Sequence, residues 1–218
     1  MKGLFIKDVM VVYAQRKKFM LLIIGISLML SFKMDADFIV SYLCLIGMIL
    51  GLNAYNYDEN NNGLPYLMTL PTTRKGYALE KHFFAMASVT VFWILGLIMQ
   101  FFSNMIQKVD MNFIEHFPTY LRFWILFLIF TSAVTFFEIR FGSEKSRVVL
   151  LLMGGICFAV GIYGMEMAEK VGIDTAALIN MFSSIPEIAI TVLKAVIPLA
   201  LIGVTAILSM NTIEKRDF

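Results

Sequence analysis

The side chains able to do chemistry gather in residues 57–84, YDENNNGLPYLMTLPTTRKGYALEKHFF, the longest polar interruption between two apolar runs. Asp58, Glu59, Arg74, Lys75, Glu80, Lys81 and His82 all lie there. Their spacing matches no catalytic pattern. The sequence has no G-x-x-x-x-G-K-[ST] phosphate loop, so the chain does not bind ATP by that route, and it has no H-E-x-x-H metal motif. His82 and His116 are expected on opposite sides of a membrane, where they share no metal. No cofactor is therefore expected in this chain.

What the stretch can do is dock and push. Asn60, Asn61, Asn62 and Gly63 break the preceding helix, and Pro65 suits the first turn of a new one. In that short helix Leu64, Leu67 and Met68 fall at i, i+3 and i+4, so they form one apolar face, read here as a blade projecting from the membrane. Leu70 closes the segment and Pro71 stops it. Thr72 or Thr73 caps the next helix, in which Arg74, Lys75, Glu80 and Lys81 give way to apolar sequence. An ordinary surface loop whose leucines lie back on the bilayer is the alternative.

The elements that must position this loop follow from composition. Hydrophobic residues make up 59% of the 218 and charged residues 16%, against about a quarter charged in a soluble domain. The predicted fold is an all-α membrane protein with six spans, at 19–33, 38–57, 83–107, 121–138, 148–166 and 192–213. Apolar runs of about 17 to 25 residues cross a bilayer, and flanking Lys33 and Arg122 extend the shorter ones by snorkelling. The spans contain essentially no ionisable residue, which argues against an intramembrane enzyme.

Lys and Arg set the orientation. With both termini cytosolic, 13 of the 18 fall inside, as the positive-inside rule requires. Removing the first span would leave 8 inside and 10 outside, so the span is retained. Residues 1–18 carry a polar stripe of Lys7, Asp8, Gln15 and Lys18 opposite Phe5, Val9 and Val12, which predicts an in-plane elbow helix; a plain extension of span one is the alternative. No cleavage site follows the first apolar run, so the N-terminus is expected to stay attached. Residues 176–185 are apolar but half the length of a crossing, and Pro186 closes them, which predicts a re-entrant or interfacial helix before span six. Cys44 and Cys157 sit within spans as small apolar residues. Gln100, within span three, is read as interhelical glue. The net charge of +2 leaves no basic footprint for nucleic acid.

Three pieces carry a family resemblance: KGLFIKDVMVV at the N-terminus, DENNNGLPYLMTLPTTRKGYALEKHFF, and FGSEKSR after span four. The chain resembles the permease subunits of ATP-binding-cassette type-2 exporters, in the small bacterial branch. The resemblance implies a multi-pass protein of the bacterial cytoplasmic membrane that works with two copies of a separate ATPase, which binds the ATP and Mg, and with a second permease copy or a paralogue. It maps the ATPase-docking region to Asp58, Glu59, Gly63, Leu64, Leu67, Met68, Leu70, Pro71 and Arg74, and a second contact to Glu138, Arg140, Glu144 and Lys145. Phe136, Phe137 and Glu138 stand where relatives often carry a proline. Within the family the pattern is most similar to staphylococcal exporters of phenol-soluble modulins, so the implied cargo is an amphipathic peptide toxin or antimicrobial peptide. An ATP-independent membrane anchor or sensor, and an intramembrane enzyme, are the alternatives from other classes.

Overall fold

A backbone in hydrocarbon must satisfy every N–H and C=O internally, so apolar runs of this length fold as helices. The computed structural model describes residues 2–32, 36–60, 63–69, 72–107, 113–152 and 187–215. They form α1 (Lys2–Ser31), α2 (Ala36–Asn60), α3 (Gly63–Thr69), α4 (Arg74–Gln107), α5 (Phe113–Phe141), a helical stretch at 143–152 taken as α6, and α7 (Glu187–Glu214). Among the described residues four segments, Asp37–Glu59, Arg74–Gln107, His116–Phe141 and Val196–Glu214, are long and apolar enough to cross a membrane. The protein is a multi-pass helical membrane protein. Most of the span expected at 148–166, the helix expected at 176–185, and Cys157 lie outside the described residues.

The first span departs from expectation. α1 runs unbroken from Lys2 to Ser31, so the elbow predicted at 1–18 and the span predicted at 19–33 are one helix. It is not among the four apolar segments, because Arg16, Lys17 and Lys18 interrupt its apolar surface. It nevertheless follows α4 along its length: Asp8 pairs with Lys81 toward one end, and the Ser31 carbonyl accepts hydrogen bonds from Ser103 (2.7 Å) and Gln107 (3.3 Å) toward the other. The helix continues through Lys7 and Asp8 because both find partners in other helices. Two other boundaries move outward: α5 begins at Phe113 and α7 at Glu187, ahead of the spans predicted from 121 and 192.

α2 packs against α1, α4 and α5, and among the described residues its contact with α4 is the most extensive. Gly47 and Gly51, four residues apart, let the two backbones meet. A Cβ on Gly47 would lie 2.9 Å from Phe92 Cβ and from the Ser88 carbonyl oxygen, and one on Gly51 would lie 2.8 Å from Ala85 Cα. Ser88 Oγ donates to the Gly47 carbonyl at 2.7 Å. This is the small-xxx-small arrangement of membrane helix pairs. Around it Ile39, Leu43, Ile46, Leu50 and Phe92 pack with Ile23 of α1. Trp93 Nε1 donates to the Tyr120 carbonyl at 3.1 Å, and the Trp93 and Trp124 rings stack at 5.1 Å, which holds α5 against α4. Cys44 is buried within α2. Among the described residues Gln100 donates to Asn104 of its own helix at 2.8 Å and does not join two helices as expected.

Candidate functional site

α3 starts where the chain must turn tightly. A Cβ at Gly63 would come within 3.1 Å of the Asp58 carbonyl oxygen, and Pro65 occupies the first turn, where its missing N–H costs nothing. Leu64 and Leu67 share a face, as their spacing requires, but that face turns inward. Leu64 is 4% exposed and Leu67 6%, packed with Leu4, Tyr55, Tyr77, Ala78, Ile139 and Ile213. The blade does not project. Burying these two leucines on five other helices stabilises the chain more than leaving them in water, at about 1.5–3 kcal/mol for each side chain. The outward face is instead Pro65, Thr69 and Tyr66, the last 69% exposed. Leu70, Pro71 and the Met68 side chain lie outside the described residues.

Thr73 caps α4: its Oγ1 accepts from the Gly76 N–H at 3.1 Å. Arg74 donates to the Glu214 carbonyl at 3.1 Å, and the Lys75 ammonium sits 3.0 Å from the Glu214 carboxylate. The start of α4 is thereby tied to the end of α7.

Directly beneath α3 is a buried ionic cluster that joins three helices. The Lys7 ammonium of α1 donates to both carboxylate oxygens of Asp58 in α2, at 2.6 and 2.7 Å, and lies 2.9 Å from Asp8. Lys81 of α4, 2% exposed, pairs with Asp8 and lies 2.7 Å from Asp58. Tyr77 donates its hydroxyl to Asp58 at 3.1 Å. Burial by itself would lower the Lys7 pKa, but the hydrogen bond to Asp58 and the charges of Asp8 and Asp58 outweigh it and hold the ammonium above its ordinary value. Glu80 borders the same cluster, 3% exposed, and neither carboxylate oxygen has a hydrogen-bond partner among the described residues. A cluster of this kind adds little net stability, yet removing one partner strands a buried charge at about 3–5 kcal/mol. It therefore fixes relative position.

Glu59, the next residue, makes a second joint. Its carboxylate accepts from the Ser143 backbone N–H at the start of α6, where free N–H groups and the helix dipole favour an anion. The turn before it needs Gly142, whose φ is +83°, and a Cβ there would sit 2.7 Å from Glu59 Oε1. Asp58 thus locks α2 to α1 and α4, while Glu59 locks it to the α5–α6 turn. Glu138, 4% exposed, is hydrogen-bonded to Asn56 of α2. Arg140, Glu144 and Lys145 are exposed beside this turn, with the Arg140 guanidinium over the Phe136 and Phe141 rings at 5.9 and 5.3 Å.

His82, one residue beyond Lys81, connects α4 to two further helices. Its Nδ1 lies 3.2 Å from Ser132 Oγ and its Nε2 2.7 Å from Ser209 Oγ. Ser132 in turn meets Thr205 at 2.6 Å. Among the described residues no three His, Cys, Asp or Glu side chains are grouped to hold a metal ion.

Of the residues singled out from sequence, Asp58, Glu59, Leu64, Leu67, Arg74 and Glu138 all make contacts inside the chain, and Arg140, Glu144 and Lys145 remain on the surface. The sequence reading missed the positional roles of Lys7, Asp8, Tyr77, Lys81 and His82. The available signal was two short charged runs, Lys7-Asp8 and Glu80-Lys81-His82, each bounded by apolar residues, since charges in such segments find partners. The ABC-2 family transporter protein model matches residues 3–214. No curated protein and no solved structure gave a significant match.

Proposed function

The chain belongs to the ABC-2 family of transporter proteins and is a membrane permease subunit, and on that premise we propose that it exports amphipathic peptides by coupling to a separate ATPase through α3 and the α5–α6 turn. Two ATPase copies, which bind the ATP and Mg, act on a pair of permeases formed with a second copy or a paralogue. The end of the bundle that carries α3, both termini and the α5–α6 turn faces the cytosol of a bacterium, with six spans in its cytoplasmic membrane. The ATPase seats on the outward residues Tyr66, Pro65 and Thr69, with Arg140, Glu144 and Lys145 as the second contact.

The observation that carries this reading is the adjacent pair Asp58 and Glu59 at the root of α3. A push on α3 reaches the end of α2, and from there Asp58 delivers it to α1 and α4 while Glu59 delivers it to α5 and α6. Coupling needs two arrangements of these helices that the ATPase favours differently, and stiff joints convert a local shift into one between such arrangements. For the cargo, the support is the family resemblance together with a chain of 20 Phe and 16 Met, side chains that give adaptable apolar contacts without fixed polar geometry.

The test uses the permease reconstituted with its ATPase in lipid nanodiscs. An amphipathic helical peptide is expected to stimulate ATP hydrolysis more than a scrambled, non-amphipathic peptide of equal composition. Equal stimulation by both, or stimulation by a glycolipid and by neither peptide, would overturn the cargo. Failure of the chain to assemble with any ATPase would overturn the coupling.

A further inference from the structure

A polar crevice of about 190 Å³ lies on the seam of α1, α2 and α6, lined among others by Gln15, Arg16, Asn53, Asn56, Tyr57 and Arg147. Two guanidinium groups from different helices converge there. Arg16 and Arg147 are both exposed, and among the described residues neither guanidinium has a hydrogen bond or ion pair. Arg147 lies within the field of the Glu138 carboxyl, which is bonded to Asn56 and does not line the crevice, so the lining holds two cations and no carboxylate. Gln15 and Asn56 add amide groups, while the Asn53 amide is turned to its own helix, donating to the Ile49 carbonyl at 2.8 Å.

Two planar, permanently charged forks beside the neutral Gln15 amide form an arrangement that recognises phosphate oxygens. The crevice lies where the apolar run of α2 ends, at 53–57, and where that of α1 begins, after Lys18, which is the headgroup level of a bilayer. We infer that it binds the phosphate of an anionic phospholipid headgroup. Bound there, the lipid clamps α1 to α6 next to the joints made by Asp58 and Glu59. The same phosphate chemistry is offered by a free anion, but the crevice lies at the level where the apolar runs of α1 and α2 end, and the lipid is the source assigned.

The experiment uses the full-length chain in phosphatidylcholine nanodiscs, with phosphatidylglycerol titrated in and retained lipid counted by native mass spectrometry. Arg16→Gln with Arg147→Gln is expected to weaken phosphatidylglycerol retention about tenfold or more. Lys17→Gln with Lys18→Gln removes the same net charge from exposed neighbours and is expected to retain the lipid. Both arginines are exposed, so the chain is expected to fold with either pair changed; unaltered thermal unfolding in phosphatidylcholine checks this. Equal losses in the two double variants would mean diffuse surface charge and overturn the site, as would wild-type retention in the arginine variant. Displacement of the lipid by millimolar inorganic phosphate would assign the crevice to a soluble anion and overturn the lipid reading.

Discussion

The two faces of α3 are separable by mutation, because one is spent inside the chain and the other is free. Leu67→Ala removes most of a side chain that is 6% exposed and packed among Leu64, Tyr55 and Tyr77. The lost carbons are worth about 0.8 kcal/mol each, and the cavity adds to them, so the cost is about 3 kcal/mol. For a chain of this size that lowers the thermal midpoint by about 6 to 12 °C. Tyr66→Ala changes a side chain that is 69% exposed and should move stability by no more than about 0.5 kcal/mol. If Tyr66 is an anchor for the ATPase, its loss costs binding about 2 kcal/mol, close to thirtyfold in Kd. Both variants are purified in detergent, unfolded thermally with intrinsic fluorescence as the readout, and titrated with the ATPase. The expected pattern is a destabilised permease for Leu67→Ala and a stable permease with weak ATPase binding for Tyr66→Ala. A Leu67→Ala protein with an unchanged midpoint and no ATPase binding would show that the leucine face is the docking surface after all.

Asp58→Asn removes one charge shared by Lys7 and Lys81 and should cost about 3–5 kcal/mol in the same unfolding measurement; adding Lys81→Met should recover part of that loss, and strict additivity of the two changes would refute the shared cluster. Gly51→Ala places a methyl group 2.8 Å from Ala85 Cα, a backbone atom, and should cost about 1–3 kcal/mol by forcing α2 from α4. Gly25→Ala, with nothing within 4 Å, is the control and should gain up to about 1 kcal/mol from helix propensity. Equal behaviour of the two glycine variants would refute the close packing.

Sequence by itself determined that the chain is helical and membrane-embedded, since long uncharged runs leave few other ways to satisfy the backbone. It determined the short helix after α2, through Gly63 and Pro65, and a threonine cap on α4, at Thr72 or Thr73, because these are local hydrogen-bonding and steric matters; the structure selects Thr73. Periodicity likewise established that Leu64 and Leu67 share a face. Which way that face points is a different question, decided by what α1, α2, α4, α5 and α7 present beneath it, and no local pattern contains that. The same holds for the charges. Lys7, Asp8, Glu80 and Lys81 read as a solvated interface when each helix is taken alone, since a charge is costly to bury unpaired. Only the tertiary structure brings Lys7 and Asp8 within reach of Asp58 and Lys81, at separations of 50 residues or more along the chain. With partners in place the desolvation cost is offset, α1 continues as one helix instead of breaking into an elbow and a span, and the polar end of the bundle becomes the place where α1, α2 and α4 are joined by buried charges.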